Sequence, residues 1–86
     1  MLDTAWRLTS SVALRPEPFG ALAYHFGNRR LTFLKRQDLT ELVKNVDKHR
    51  SLRDALRAQD IPEAIWPQFL SALRHLVDAD MIAPLK

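Results

Sequence analysis

The sequence predicts an α+β domain, a three-stranded antiparallel sheet followed by three helices, and three observations carry that expectation. Apolar residues alternate at period two in the first third of the chain, which suits half-buried strands. From residue 38 onward they recur at i, i+3, i+4 and i+7, which suits amphipathic helices. Finally, 86 residues fall below the roughly 100–150 at which chains begin to divide into separate cores. A hydrophobic content of 47% with 27% charged residues is that of a globular chain.

The first strand is expected over about 10–15, where Val12 and Leu14 alternate with more polar neighbours. Arg15-Pro16-Glu17-Pro18 interrupts it, because each proline lacks an N–H and restricts the residue before it. A second strand over about 21–26 carries Leu22, Tyr24 and Phe26 at period two, and a third over about 29–35 carries Leu31 and Phe33. Gly27-Asn28 between them reads as a two-residue hairpin turn. That turn pairs Phe26 with Arg29, Tyr24 with Leu31 and Leu22 with Phe33. Leu22, Tyr24, Phe26, Leu31 and Phe33 then share the face that the helices should cover, with Ala21, Ala23, His25, Arg30 and Thr32 outside. The same turn makes Phe26 and Arg29 a hydrogen-bonded pair. Leu31 and Phe33 would then bond inward, leaving the backbone groups of Arg30, Thr32 and Leu34 at the open edge.

Three helices follow, at about 38–48, 51–59 and 62–80. Asp38-Leu39-Thr40-Glu41, Ser51-Leu52-Arg53-Asp54 and Asp60-Ile61-Pro62-Glu63 each offer a capping signal at a helix start. The inward stripes are Leu39, Leu42, Val43 and Val46; Leu52, Ala55 and Leu56; and Ile65, Phe69, Leu73, Leu76 and Val77. Pro67 would break a helix interior at a cost of about 3 kcal/mol. A short turn over 61–65, with the main helix starting near Pro67, avoids that cost. The order of elements describes a winged helix-turn-helix-like domain, 1–86.

Few chemistries remain open to such a chain. It has no cysteine, which excludes disulfides and thiolate metal sites and fits a reducing cytosol. His25, His49 and His75 have no metal-ligand spacing, and solvated histidines are the default. With Gly20 and Gly27 the only glycines, there is no glycine-rich phosphate loop. No serine carries a nucleophile signature. The chain is therefore expected to have no catalytic or metal site, no cofactor, no signal peptide and no membrane span.

Charge is unevenly placed within the net +3, at +5 over residues 29–57 and −2 over residues 58–86. A basic middle third favours an acidic partner or is a solvated face of Lys and Arg. A winged-helix DNA reader is the natural rival reading. Its recognition helix should carry the basic and amide side chains that reach bases and phosphates. The third helix instead mixes Gln68, Ser71, Arg74 and His75 with Glu63, Asp78 and Asp80, so no nucleic-acid partner is expected. A non-peptide adaptor is the other alternative.

The run Arg15-Pro16-Glu17-Pro18-Phe19-Gly20-Ala21-Leu22-Ala23-Tyr24-His25-Phe26 resembles the N-terminal part of the mycofactocin biosynthesis peptide chaperones. Arg29-Arg30-Leu31-Thr32-Phe33-Leu34 and Leu73-Arg74-His75-Leu76-Val77-Asp78-Ala79-Asp80-Met81-Ile82 resemble the same family, and the likeness spans roughly residues 10–83. More distantly, the layout is similar to the chaperone of pyrroloquinoline quinone biosynthesis and to the recognition elements of other ribosomal natural products. The resemblance implies a precursor-peptide chaperone in the cytoplasm, itself no enzyme. It would bind the leader of a ribosomally made peptide and present it to a radical S-adenosylmethionine maturase, which holds the iron–sulfur clusters. It further implies that the leader adds a strand beside the third strand, against the third helix. The expected peptide-binding residues are then Arg30, Leu31, Thr32, Phe33, Leu34, Lys35, Phe69, Leu70, Leu73, Arg74 and Val77. The chain would act as a monomer or a weak dimer.

Overall fold

The structure, a computed structural model, describes residues 1–85. Its order is β1 (Trp6–Leu8), β2 (Val12–Glu17), β3 (Gly20–His25), β4 (Leu31–Leu34), α1 (Gln37–Asn45), α2 (Leu52–Ala58), α3 (Trp66–Asp78) and β5 (Ile82–Pro84), with short 3₁₀ turns at Val46–Lys48 and Glu63–Ile65. The architecture is α+β: β2, β3 and β4 form an antiparallel sheet in that order, with the three helices after it. β1 and β5 form a separate antiparallel pair in the register Trp6–Pro84, Arg7–Ala83, Leu8–Ile82. The sequence reading had no counterpart for that pair, because three residues are too few to establish alternation.

The helices follow the apolar stripes. Leu39, Leu42, Val43 and Val46, then Leu52, Ala55 and Leu56, then Phe69, Leu73 and Leu76 are all buried. Trp6, Ile61, Trp66, Met81 and Ile82 complete the core. Each buried indole N–H has an acceptor, the Met1 carbonyl for Trp6 and the Ile61 carbonyl for Trp66. Pro67 lies in the first turn of α3, directly after the 3₁₀ turn, where its missing N–H costs nothing.

Of the three capping signals, one forms. Ser51 Oγ accepts from Asp54 N–H at 3.2 Å. Helix α1 instead starts one residue ahead of Asp38 and has no side-chain cap at its N-cap residue, Arg36. Asp60 closes α2 rather than opening the next segment. It has φ 56°, its N–H reaches the Arg57 carbonyl, and the Ile61 N–H reaches Leu56. Asp80 (φ 59°) ends α3 in the same way, with bonds to Val77 and from Met81 to Leu76. Both are Schellman ends with aspartate in the left-handed position usually given to glycine.

The sheet corrects the hairpin in three respects. First, the turn is longer than two residues. Arg29 N–H donates to the His25 carbonyl and His25 N–H to the Arg30 carbonyl, so Arg29 and Arg30, which lead into β4, together oppose His25 of β3. Arg29, with φ 63°, is the left-handed member of this bulge, not Gly27 or Asn28. The turn is held from inside by His25 Nδ1, which accepts from the N–H groups of Gly27 (3.0 Å) and Asn28 (3.1 Å).

Second, the pairs Tyr24–Leu31 and Leu22–Phe33 occur as expected, but their hydrogen-bonding parity is reversed. His25 bonds to Arg30, while Phe26 N–H bonds to Ser11 on the other side. Because such pairs alternate, Ala23–Thr32 and Ala21–Leu34 exchange the inner bonds. The backbone groups of Leu31 and Phe33 therefore point to the open edge.

Third, the opposite face is covered. Ala21, Ala23 and Leu34 are each 1% exposed, whereas Phe26 is 62%, Phe33 58% and Leu31 55% exposed. Val12 and Leu14, opposite His25 and Ala23, lie on the covered face and pack against the core. Small side chains on β3 let the helices come close, and close approach recurs at Gly20. Its φ is +148°, and a Cβ there would strike the Leu34 carbonyl.

Candidate functional site

A cleft runs between β4 and α3, and the sheet and the helix each contribute a different kind of wall. The sheet wall is the open edge of β4, which has no neighbouring strand among the described residues. It presents the N–H and C=O groups of Leu31 and Phe33, spaced two residues apart as a pairing strand requires. The helix wall is the side of α3 next to its core stripe. Gln68, Ala72, His75 and Ala79 follow one another there at steps of four, three and four residues, so they share one face.

The cleft has two adjoining parts that share Phe33 and Lys35. A compact pocket of about 210 Å³ is bounded by Phe33, Lys35, Arg36, Leu39, Gln68, Phe69 and Ala72. It is apolar at its base, where Leu39 and Phe69 are buried. A shallower trough of about 510 Å³ continues it, lined by Arg30, Leu31, Thr32, Phe33, Lys35, His75, Asp78 and Ala79. The small side chains of Ala72 and Ala79 leave this space open.

Both ends of the cleft are bridged from sheet to helix. At one end the Arg36 guanidinium lies 5.1 Å from the Phe69 ring centroid and donates to Gln68 Oε1 at 3.3 Å. Asp38 orients it through two hydrogen bonds of 2.9 and 2.8 Å, the forked geometry that fixes an arginine. At the other end Asn28 Nδ2 donates to the Ala79 carbonyl (3.0 Å) and Arg30 to the Asp78 carbonyl (3.5 Å). These satisfy carbonyls left free at the end of α3. The hairpin tip and the helix are thereby held apart at a fixed width. Arg30 and Lys35 make the rim basic, Arg36 being paired with Asp38, and Asp78 is the one carboxylate among the lining residues.

Of the expected peptide-binding residues, Arg30, Leu31, Thr32, Phe33, Lys35 and Phe69 line the cleft. Leu34 and Leu73 are core residues at 1% exposure. Leu70, Arg74 and Val77 lie on the side of α3 turned away from the cleft, as their position on the helix requires, and do not line it. The sequence reading missed Arg36, Leu39, Gln68, Ala72, His75, Asp78 and Ala79. The available signal was the pair of alanines, Ala72 and Ala79, one helical step from the apolar stripe.

A broader concavity of about 620 Å³ lies between α1 and α2, lined by residues such as Asp38, Glu41, Leu42, Lys48 and Gln59. It is larger than either part of the cleft alone, but it lies between two helices and offers no strand edge. The Gln59 side chain also spans from α2 to the Asp38 carbonyl (2.6 Å). Among the described residues, no group of three or more His, Cys, Asp or Glu side chains could hold a metal ion. No helix among them is long and apolar enough to cross a membrane.

An open strand edge beside a cleft with an apolar base and basic residues on its rim is a surface on which an extended segment can add a strand. The comparisons give the particular family. Residues 5–83 match the model of the peptide chaperone MftB family, and this chain belongs to that family. It is 45% identical over 82 residues to the peptide chaperone MftB of Mycolicibacterium smegmatis, covering 95% of this chain and 80% of that one. It is 43% identical to the peptide chaperone MftB of Mycobacterium ulcerans and 40% identical to that of Mycobacterium tuberculosis. Each of these alignments covers 95% of this chain and 75% of the relative. These relatives are named as chaperones, not as enzymes. No solved structure matches.

Proposed function

We propose that this chain binds the leader of the mycofactocin precursor peptide as a fourth strand on β4 and presents it to a radical S-adenosylmethionine maturase. The observation that carries this reading is the parity of β4. Leu31 and Phe33 aim unpaired backbone groups along the edge of a cleft whose compact end has an apolar base. A strand added there gains main-chain hydrogen bonds from the edge, and its alternate side chains enter the cleft. The pocket over Leu39 and Phe69 takes a large apolar side chain, and Arg30 and Lys35 favour acidic residues beside it. Family membership supports the peptide as ligand. The resemblance to the mycofactocin chaperones supplies the maturase as receiver and the cytoplasm as the compartment, and catalysis remains with the maturase.

Titration with the precursor peptide tests the reading. Leu31→Pro removes one edge N–H and spares the inner ladder, and edge strands tolerate proline. It is expected to leave the circular dichroism spectrum near wild type and to weaken leader binding by about 1–3 kcal/mol, the cost of an unpaired buried acceptor. Leu31→Ala keeps that N–H and separates the backbone effect from the side chain. Thr32→Pro breaks the inner ladder and is expected to damage the fold. Wild-type affinity in a folded Leu31→Pro chain sinks the strand-addition reading.

Salt separates this reading from nucleic-acid binding. Leader affinity is expected to weaken modestly as exposed charges are screened over a Debye length of about 8–10 Å. A loss of roughly a thousandfold over a fourfold salt increase would instead mark counterion release from phosphates.

A further inference from the structure

Among the described residues, the large exposed apolar side chains are Phe19, Phe26, Leu31, Phe33 and Leu85. All but Leu85 gather on the uncovered side of the β2–β3–β4 sheet. Two cross-strand rows build that surface: Arg15, Leu22 and Phe33, and next to it Ala13, Tyr24 and Leu31. Each row is extended by an aromatic contact. Phe19, from the β2–β3 turn, meets Phe33 edge-on with centroids 6.0 Å apart, and Phe26, at the β3–β4 turn, meets Tyr24 at 5.2 Å. Such contacts hold exposed rings in place. A soluble chain seldom leaves a contiguous apolar surface of this kind without a partner for it.

We infer that this outer sheet face is the docking surface for the protein that receives the peptide, a partner with an apolar patch and an acidic rim. The inference rests on the strand-addition reading above, and two features choose this occupant. The first is charge. Glu17 sits 3.1 Å from Arg15 and neutralises it. Lys35, in phase with Leu31 and Phe33, and Arg29 at the hairpin tip have no ion-pair partner among the described residues. A second copy would bring two basic rims together, whereas an acidic rim is complementary. The second is continuity with the cleft. Leu31 and Phe33 point their backbone at the cleft edge and their side chains at this face. A leader strand on β4 would therefore place every second side chain beside them and widen the same surface. The receiving protein would meet chaperone and leader as one sheet, so loaded chaperone would bind better than empty chaperone. By linkage, the receiver would tighten leader binding by the same factor.

The test uses the purified mycofactocin radical S-adenosylmethionine maturase as probe. Wild type, Phe26→Ser, the double variant Phe19→Ser/Phe26→Ser and the control Leu85→Ser are each titrated with maturase and separately with leader peptide. Neither altered phenylalanine lines the cleft, and both side chains are exposed, so the variants are expected to fold. The double variant should bind maturase about tenfold or more weakly, and Phe26→Ser should fall between it and wild type, as expected for loss of aromatic anchors. Leu85→Ser should match wild type, and leader affinity should stay within about twofold in every variant. Unchanged maturase binding by the double variant overturns the assignment of this face. Sedimentation showing a wild-type dimer that the double variant dissociates also overturns it, giving the face to a second copy. A wild-type chain with no affinity for the leader overturns the strand-addition reading, an outcome the leader titration reports separately.

Discussion

The two faces of the β2–β3–β4 sheet come from the same alternating strands, yet the alanines of β3 are inside and the phenylalanines and the tyrosine outside. The helices rest on Val12, Leu14, Ala21, Ala23 and Leu34, while Leu22, Tyr24, Phe26, Leu31 and Phe33 face away from them. Full burial of a Leu or Phe side chain contributes about 1.5–3 kcal/mol. Leaving Phe19, Phe26, Leu31 and Phe33 exposed therefore forgoes several kcal/mol that the opposite arrangement would have gained. Alanines on β3 bring the helices close, and that closeness sets the width of the cleft beside β4. Side-chain size does not identify the core face of a sheet. Fit to the layer above it does, and a large residue left outside is available for binding.

The comparison is broken most severely at Leu34 and Gly20, where the covered face meets the end of β4. Leu34→Ala should lower unfolding free energy by about 2–5 kcal/mol, as for other buried large-to-small changes, measured by urea denaturation. Gly20→Ala should also destabilise strongly, since the added Cβ meets the Leu34 carbonyl and φ there is +148°. Because Leu34 to Arg36 must then shift, leader binding should fall with it.

A smaller loss is expected at Ala23, 1% exposed beneath the helices. Ala23→Leu adds bulk where the helices already touch the strand and should cost about 1–3 kcal/mol. If Ala23→Leu were neutral, close packing would not be what selects alanine on this face. The smallest effect belongs to the outer face. Phe26→Ala should change the unfolding free energy by only about 0.5 kcal/mol or less, as surface substitutions do. A loss near that of Leu34→Ala would mean that Phe26 supports the fold, and the contrast between the faces would fail.

At the hairpin, sequence pattern ceases to determine the structure. Period two in Leu22, Tyr24, Phe26, Leu31 and Phe33 correctly placed these residues on one face and gave the Tyr24–Leu31 register. It carried no information on which face the helices would choose. A usable signal lay in β2: the Pro18-Phe19 connection pairs Glu17 with Gly20 and Leu14 with Ala23. That register adds Val12 and Leu14 to the alanine face. The reversed bonding parity was harder to see, because it depends on the His25 imidazole accepting from the turn and on Arg29 taking a left-handed conformation. Neither preference is visible in the pair Gly27-Asn28.

Local chemistry, legible in the sequence, determined the helices and their inward stripes, the place of Pro67 at a helix start and the antiparallel pairing of β3 with β4. These follow from spacing, proline geometry and short-range pairing, which act within a few residues. The resemblance of the Arg15–Phe26 run likewise pointed to the family. Tertiary structure alone decided the β1–β5 pair, the covered face of the sheet, the outward groups of Leu31 and Phe33, and the side of α3 that lines the cleft. Each of these depends on how two elements distant in sequence approach one another. That approach is set by side chains filling a shared volume, so Ala21, Ala23, Ala72 and Ala79 matter through the space they leave rather than through any pattern of their own.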